Sequence, residues 1–292
     1  MTPGVGVVVA TRDRRASLAR TLERLTGLPE RPEILVVDNG STDGTAAMVR
    51  ERFPYIRVLR LPRNRGALAR THGVRHARAP YVAFCDDDSW WAPGSLARAV
   101  ALMRDHPRLG LLAGAALIGD DERPDPMNAA LAASPLGRAP DLPGTSVLGF
   151  LCCAAVVRRE AFLQAGGFHP VLFFGGEESL LAYDLAARGW GVVHRPDVVA
   201  HHHPEPLHRA GRDVRWRRNE LLTCWLRRPL PRVLGHTVQA AAEARHDGAV
   251  RRALYEALAR LPVVVAHRRR LPATVEADIR LLEKAGGHSA HG

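Results

Sequence analysis

At 292 residues the chain is long enough for one large α/β domain or two smaller ones, and it needs no disulfide staples to hold a core. With 46% hydrophobic and 24% charged residues it has the make-up of a globular protein, which excludes a long disordered or low-complexity chain. Its net charge of +11 is a weak argument for nucleic acid, because 40 of its 41 basic residues are arginines and Lys284 is the only lysine, a skew that looks compositional.

The chain opens on MTPGVGVVVATRDRR, with its charges after the apolar stretch, the reverse of a signal peptide. A cytoplasmic protein is the expectation. The β-branched runs VGVVVA, EILVVD, IRVLRL and YVAFCD alternate with helical patterns around Leu18 to Leu25, from about Gly44 and from about Ala67. That alternation predicts βαβ units on a mainly parallel sheet. Each run ends in a polar loop: Thr11 to Asp13, Asp38 to Thr42, Pro62 to Gly66 and Asp86 to Ser89. In an open α/β sheet such loops gather at the carboxyl edge, where ligands bind.

The fourth loop, in YVAFCDDDSWW, holds three successive carboxylates. Asp86 and Asp88 flank a single residue at a strand end, so both can turn toward one point. Such oxygen ligands, with phosphate as co-ligand, suit Mn²⁺ or Mg²⁺. They suit a solvated turn or a helix N-cap ahead of Pro93 as well. Trp90 and Trp91 follow directly and suit either sugar stacking or core packing.

From Ala113 to Pro143 the composition turns rich in Pro, Asp, Ala and Gly, which predicts mobile loops. An apolar strand is expected near Val147 to Val157, then a turn at Gly166-Gly167-Phe168, a helix over Glu177 to Arg188 and a strand over Gly191 to His194. The run from Val147 to Val157 is too short to span a bilayer. Four cysteines without metal-ligand spacing read as reduced core residues. After His203 the pattern becomes helical and basic. Residues 204–292 carry 17 basic against 9 acidic residues, a net +8 that favours an anionic surface near this end and makes peripheral membrane contact an expectation. In this region Ala249, Ala253, Leu254, Ala257, Leu258 and Leu261 share one helical face, as a core stripe or a membrane-surface helix.

Taken in order, VGVVVATRDR, ILVVDNGSTDGT, LPRNRGALAR, AFCDDDS, RREAFLQAGGF and FFGGEESLLAYDLAARGWGVVHRPDVVAHHH resemble the family 2 glycosyltransferases of the GT-A fold, over roughly residues 4–228. The resemblance implies a Rossmann-like α/β fold, a mixed and mainly parallel sheet flanked by helices, with a C-terminal helical extension. It implies a catalytic domain over 1–203, its nucleotide-sugar half about 1–110 and its acceptor half about 111–203, followed by a basic helical region over 204–292. The implied activity is inverting, metal-dependent transfer of a sugar from a nucleotide-diphosphate sugar to an acceptor hydroxyl or similar nucleophile.

The resemblance also assigns residues. Thr11, Arg12, Asp38, Ser41, Asn64, Gly66, Arg70, Asp86 and Asp87 match nucleotide-sugar positions. Asp88 and His202 match the metal ligands, with His201 as the alternative register. Glu178 matches the catalytic base, with Glu177 as the second candidate. Trp90, Trp91, Gly167 and Arg218 are candidates for the acceptor side. The acceptor could be a glycan, a lipid-linked sugar or a small molecule, because the loops after Ala113 and after Pro204 match no readable pattern. Two competing readings fit less well. A sugar-1-phosphate nucleotidyltransferase would open with a Gly-rich loop and use an early lysine, and VVVATRDR has neither. A nucleic-acid-binding protein needs basic and aromatic residues along one groove, and the acidic loop opposes it, so no nucleic-acid partner is expected.

Overall fold

A computed structural model describes residues 4–204 and 211–289. The strands are β1 (Val5–Thr11), β2 (Glu33–Asp38), β3 (Arg57–Arg60), β4 (Tyr81–Asp86), β5 (Ser89–Trp91), β6 (Leu109–Ile118), β7 (Arg123–Pro124), β8 (Thr145–Ser146), β9 (Ala155–Arg158) and β10 (Gly191–His202). The helices are α1 (Arg15–Thr26), α2 (Thr45–Arg52), α3 (Leu68–His76), α4 (Ser95–Asp105), α5 (Pro126–Ala132), α6 (Arg159–Ala165), α7 (Glu177–Ala186), α8 (Arg212–Arg227), α9 (Leu230–Glu243), α10 (Gly248–Leu258), α11 (Leu261–His267) and α12 (Ala273–Ser289).

One sheet carries the molecule, in the order β3-β2-β1-β4-β9-β6-β10-β5, with β7 on β6 and β8 on β10. The expected parallel units are present: β1 lies between β2 and β4, and β3 extends β2. Because side chains alternate along a strand, Val7, Val9, Ile34, Val36, Ala83 and Cys85 face one layer with Leu18, Leu22 and Met48. Their neighbours Val8, Leu35, Val37, Val82 and Phe84 face the other, with Val74, Phe162, Leu181 and Leu185. Both faces are covered, which is why these strands read as continuous apolar runs.

The second half departs from the sequence reading in three places. The stretch expected as mobile loop begins inside a central strand, since Leu109–Ile118 forms β6, and α5 follows with Asp125 capping its first turn at Met127 N, 2.8 Å. The apolar run from Val147 is not one strand: it passes through a short 3₁₀ turn at Cys152–Ala154 and pairs only over β9, wedged antiparallel between β4 and β6. The strand expected over Gly191 to His194 runs on to His202, with its pairing to β6 interrupted between His194 and Val199, where Pro196 can donate no ladder hydrogen bond.

After Gly211 the chain is helical, and α8 buries Leu221, Leu222, Trp225 and Leu226 against Leu172 and Leu180. The expected stripe on α10 splits. Ala253 and Ala257 are fully buried and Leu254 packs beside them, whereas Leu258 and Leu261 are exposed. No helix among the described residues is long and apolar enough to cross a membrane. All four cysteines are free and buried, and burial pushes each thiol up, which fits core residues rather than nucleophiles.

Candidate active site

The loops after β1, β2 and β4 meet at the carboxyl edge of the sheet. There the three carboxylates are held apart by cations from other loops. Arg70 on α3 pairs with Asp86. Arg14, which opens α1, reaches Asp87 Oδ1 at 3.2 Å and Asp88 Oδ2 at 2.9 Å. Thr11 Oγ1 donates to Asp87 Oδ2 at 2.8 Å, and the Asp86 amide donates to Ser89 Oγ at 2.8 Å, which closes the turn. Burial and then the charge of Asp88 push Asp87 up to about 6, although Thr11 and Arg14 pull it down. Sequence reasoning missed Arg14, since its partners lie 73 and 74 residues away.

Ligand atoms of Asp86, Asp88 and His202 lie within 4.8 Å of one another. The register of β10 explains why His202 is the histidine that joins them. His201 pairs with Trp90 and His202 with Ser89 across β5, and alternation sends their side chains to opposite faces. His202 Nε2 is 3.5 Å from Asp88 Oδ1. His201 instead faces Glu122 at 3.3 Å, and His203 stacks on Trp90 at 4.5 Å between centroids. Burial alone would lower His202, but the hydrogen bond and charge of Asp88 outweigh it and raise its pKa.

At the ends of β2 and β3 lies a cavity of about 360 Å³ lined by Gly40, Ser41, Thr42, Arg60, Leu61 and Pro62. Asp38, the last residue of β2, is fully buried. Its Oδ1 accepts from Ser41 N at 2.8 Å, while Oδ2 has no hydrogen-bond partner and Arg60 Nε stands off at 3.6 Å. A buried carboxylate oxygen left open costs free energy unless a ligand completes it. Asn39, which the sequence reading passed over, ties the pocket together: its Nδ2 donates to Asn64 Oδ1 and to Gly66 O, each at 3.1 Å, and its Oδ1 accepts from Arg65 N at 2.7 Å. Asn64 Oδ1 also accepts from Gly66 N at 2.9 Å, so its side chain is spent on the loop. Gly66 sits at φ +57°, and a Cβ there would lie 2.0 Å from Phe173 O, so the chain passes too close for any side chain. Arg12 is exposed beside Asp13, and Ser41 Oγ accepts from Asp13 N at 3.0 Å.

Across from the nucleotide loops, α7 begins after Gly176 with Glu177 and Glu178 in its first turn, where the helix dipole favours acids. Glu177 is 2% exposed and its Oε2 has no partner. Glu178 is half-buried. Burial pushes both up, Glu178 further through the charge of Glu177, while Arg70 pulls both down. Arg70 is itself enclosed, and its Nε has no hydrogen-bond partner.

The acceptor-side candidates need two corrections. Trp91 is fully buried and donates Nε1–H to Phe84 O at 3.2 Å, so it is a core residue that offers no face to a sugar. Arg218 is 4% exposed and binds Leu172 O at 2.9 Å, Glu256 at 3.1 Å and Asn219 at 3.0 Å. It fixes the loop before α7 from behind rather than meeting a substrate. Trp90 stays half-buried, engaged by His203 and by Arg24 over its ring at 5.4 Å. Gly167, at φ +72°, turns the chain where a Cβ would crowd Thr71, whose Oγ1 accepts from Phe168 N at 3.0 Å. Phe173, also passed over, is 41% exposed and holds φ +63°, a conformation uncommon for a bulky residue, with its carbonyl accepting from Ala67 N at 2.6 Å. Part of the loop expected after Pro204 lies outside the described residues.

An open α/β sheet with nucleotide loops, an acid-histidine cluster and an acidic helix start on one edge defines a sugar-nucleotide transferase class of site. The chain belongs to glycosyl transferase family 2, whose model matches residues 6–165, and it is a glycosyltransferase that uses a nucleotide-sugar donor. It is 29% identical over 246 residues to the N-acetylglucosaminyl-diphospho-decaprenol L-rhamnosyltransferase of Mycobacterium tuberculosis, covering 73% of this chain and 80% of that one. A 91-residue stretch is 41% identical to the validoxylamine A glucosyltransferase of Streptomyces hygroscopicus subsp. limoneus, 29% of this chain and 20% of that protein. Among solved structures, the mannosyltransferase PcManGT from Pyrobaculum calidifontis, in complex with GDP-Man and Mn²⁺, matches with TM-score 0.57 and 24% identity, covering 100% of this chain and 81% of that one. That likeness carries the GT-A fold.

Proposed function

We propose that the chain is an inverting, metal-dependent glycosyltransferase in which Asp86, Asp88 and His202 face the diphosphate of the donor. The observation that carries this reading is the cluster of those three ligands within 4.8 Å, on an edge that also holds buried polar atoms with no hydrogen-bond partner among the described residues: Asp38 Oδ2, Arg70 Nε and Glu177 Oε2. The donor set fits a hard or borderline divalent ion, since two carboxylates and one imidazole suit Mn²⁺ or Mg²⁺ with phosphate oxygens as co-ligands. Bound there, the ion would offset charge building on the departing diphosphate.

The protein's own residues supply the rest. Asp38 Oδ2 accepts an N–H of the base beside the 360 Å³ cavity that Ser41 lines, with Thr11 paired to Asp38 across β1 and β2 and Arg12 following it. Arg70 holds Asp86 toward ribose and sugar, while Arg14 and Thr11 hold Asp87. Glu178 is the base. It retains solvent access for an acceptor hydroxyl, whereas Glu177 is enclosed and answers the charge of Arg70. A carboxylate with a raised pKa takes the acceptor proton more readily as the new bond forms. Direct attack from the Glu178 side inverts the anomeric centre. The acceptor we favour is a lipid-linked glycan, the kind of molecule named for the M. tuberculosis relative.

A thermal-shift panel of nucleotide-diphosphate sugars, run with and without Mn²⁺, tests the donor reading. One donor should raise the melting temperature, and further with the ion. No shift with any donor would overturn it. NMR of the product's anomeric configuration then decides inversion against retention.

A further inference from the structure

The helix α9 is apolar on two sides. Its inner side, Val233 and Ala240, packs on the α8 core, where Trp225 Nε1 donates to Thr237 Oγ1 at 2.9 Å. Its outer side carries Leu230, Leu234 and Val238 at four-residue spacing, and these are 69%, 67% and 60% exposed. Large apolar side chains in a row on one face call for a partner. At the N-terminal end of the row, Leu230 lines a cavity of about 1100 Å³, the other wall of which includes Leu281, Arg270, Arg280 and Lys284. Of the acids there, Glu276 is already taken by Arg228 at 2.7 and 3.1 Å and by Arg280 at 3.0 Å, and Asp278 is the other. Arg270 is exposed and has no ion-pair partner among the described residues.

We propose that this face is a membrane-docking surface, in which the Leu230-Leu234-Val238 row enters the headgroup boundary of an anionic bilayer and Arg270 and Lys284, which line the cavity beside Leu230, meet its lipid phosphates. Charge selects this occupant. A second copy of the chain would bring another +11 against a basic face, whereas an anionic leaflet attracts it. An amphipathic helix lying in the interface needs an apolar row with basic flanks and no great length, and α9 has 14 residues. The surface is distinct from the transfer site and vesicle binding is read without donor or acceptor, so failure here leaves the transfer reading untouched.

Flotation of the full chain with vesicles of phosphatidylcholine, alone or mixed with phosphatidylglycerol, tests it. The protein should float with the mixed vesicles only, and less as salt rises. Leu234→Glu with Val238→Glu should weaken binding by about tenfold or more, and Arg270→Glu with Lys284→Glu by a similar factor. Both pairs are exposed, so far-UV circular dichroism and the donor-induced thermal shift should match wild type. Leu234→Ser with Val238→Ser, which removes apolar surface without adding charge, should also weaken binding. Four results would overturn the proposal: equal flotation with neutral vesicles, undiminished binding of the Leu234/Val238 variants, release by millimolar inorganic phosphate at constant ionic strength, or a wild-type dimer in light scattering that the Leu234/Val238 variants dissolve.

Discussion

Two arginines, Arg70 at the sheet edge and Arg228 just after α8, are buried to nearly the same degree, 6% and 5% exposed. Their surroundings differ. Arg228 is closed: Nε, and both terminal nitrogens, donate to Glu276 and Glu283 at 2.5 to 3.2 Å. Arg227 beside it is closed in the same way by Asp184, at 2.6 and 2.8 Å. Arg70 pairs with Asp86 alone, and its Nε is left open, as are Asp38 Oδ2 and Glu177 Oε2 on the same edge. A buried polar atom without a partner costs stability. The helices complete such atoms within the protein, bracing Leu172 and the start of α7, and on the proposed function the sheet edge leaves its own for a ligand.

The largest expected effect comes from opening what is closed. Arg228→Ala leaves Glu276, 8% exposed, with Arg280 as its remaining cation and Glu283 beside it, and should cost roughly 3 kcal/mol in urea unfolding. Arg70→Ala should cost clearly less, because it also relieves an open donor. Equal losses would break the comparison.

Next is Glu178→Gln, which should keep donor binding and reduce single-turnover transfer by about 10² or more, as for a lost general base. Glu177→Gln should have the smaller effect on the chemical step, and the reverse order would move the base by one residue. The sign of the pH dependence follows. The base works deprotonated and its pKa is raised above the usual 4.5, so transfer should fall as pH drops through a value above the ordinary carboxylate range. A pH-rate profile that stays flat down to the ordinary glutamate range would contradict the assignment.

Asp38→Asn sharpens the same contrast at lower cost, since it removes the charge of a buried acceptor and little volume. Nucleoside diphosphate affinity should weaken by about tenfold, the scale of one hydrogen bond to a charged group. Calorimetry with unchanged affinity would mean that Oδ2 meets no base.

How much of this was legible follows from where each signal resides. The strands β1, β2 and β4 and the polar loops after them were readable because β-branched runs buried on both faces announce themselves locally, and the order of the motifs carried the family. The pairing of Arg14 with Asp87 and Asp88, and of Asn39 with Asn64, is made across loops that only the sheet order brings together, so no local pattern contained it. Alternation on β10 would have separated His202 from His201, had the strand been extended past Pro196. The same period applied to SWW puts Trp90 and Trp91 on opposite faces, and the two residues had instead been assigned one role. Arg218 read as a substrate contact because its partners, Leu172 and Glu256, are 46 and 38 residues away.

The smallest effect is expected at His169, in the loop between α6 and α7, which meets His267 of α11 edge-on at 5.2 Å. His169 has an open Nε2 and is pushed down to about 4 by burial and then by Arg227, His267 and Arg269. Its folded pKa lies below the unfolded 6.5, so the stability it contributes is full above 6.5 and is lost as pH falls toward 4. The melting temperature should therefore drop between pH 7 and 5, and drop less in His169→Phe. An identical slope in the variant would assign the acid loss elsewhere.

In the proposed function, a divalent ion and a nucleoside diphosphate together complete the open charges at the sheet edge. Titration calorimetry of a nucleoside diphosphate, with and without Mn²⁺, into wild type and Asp88→Asn tests it most directly. Wild type should bind at least about tenfold tighter with the ion, and Asp88→Asn should bind with the same weak affinity in both conditions while its melting temperature stays at or above that of wild type. An Asp88→Asn protein that keeps the full Mn²⁺ enhancement would contradict the account.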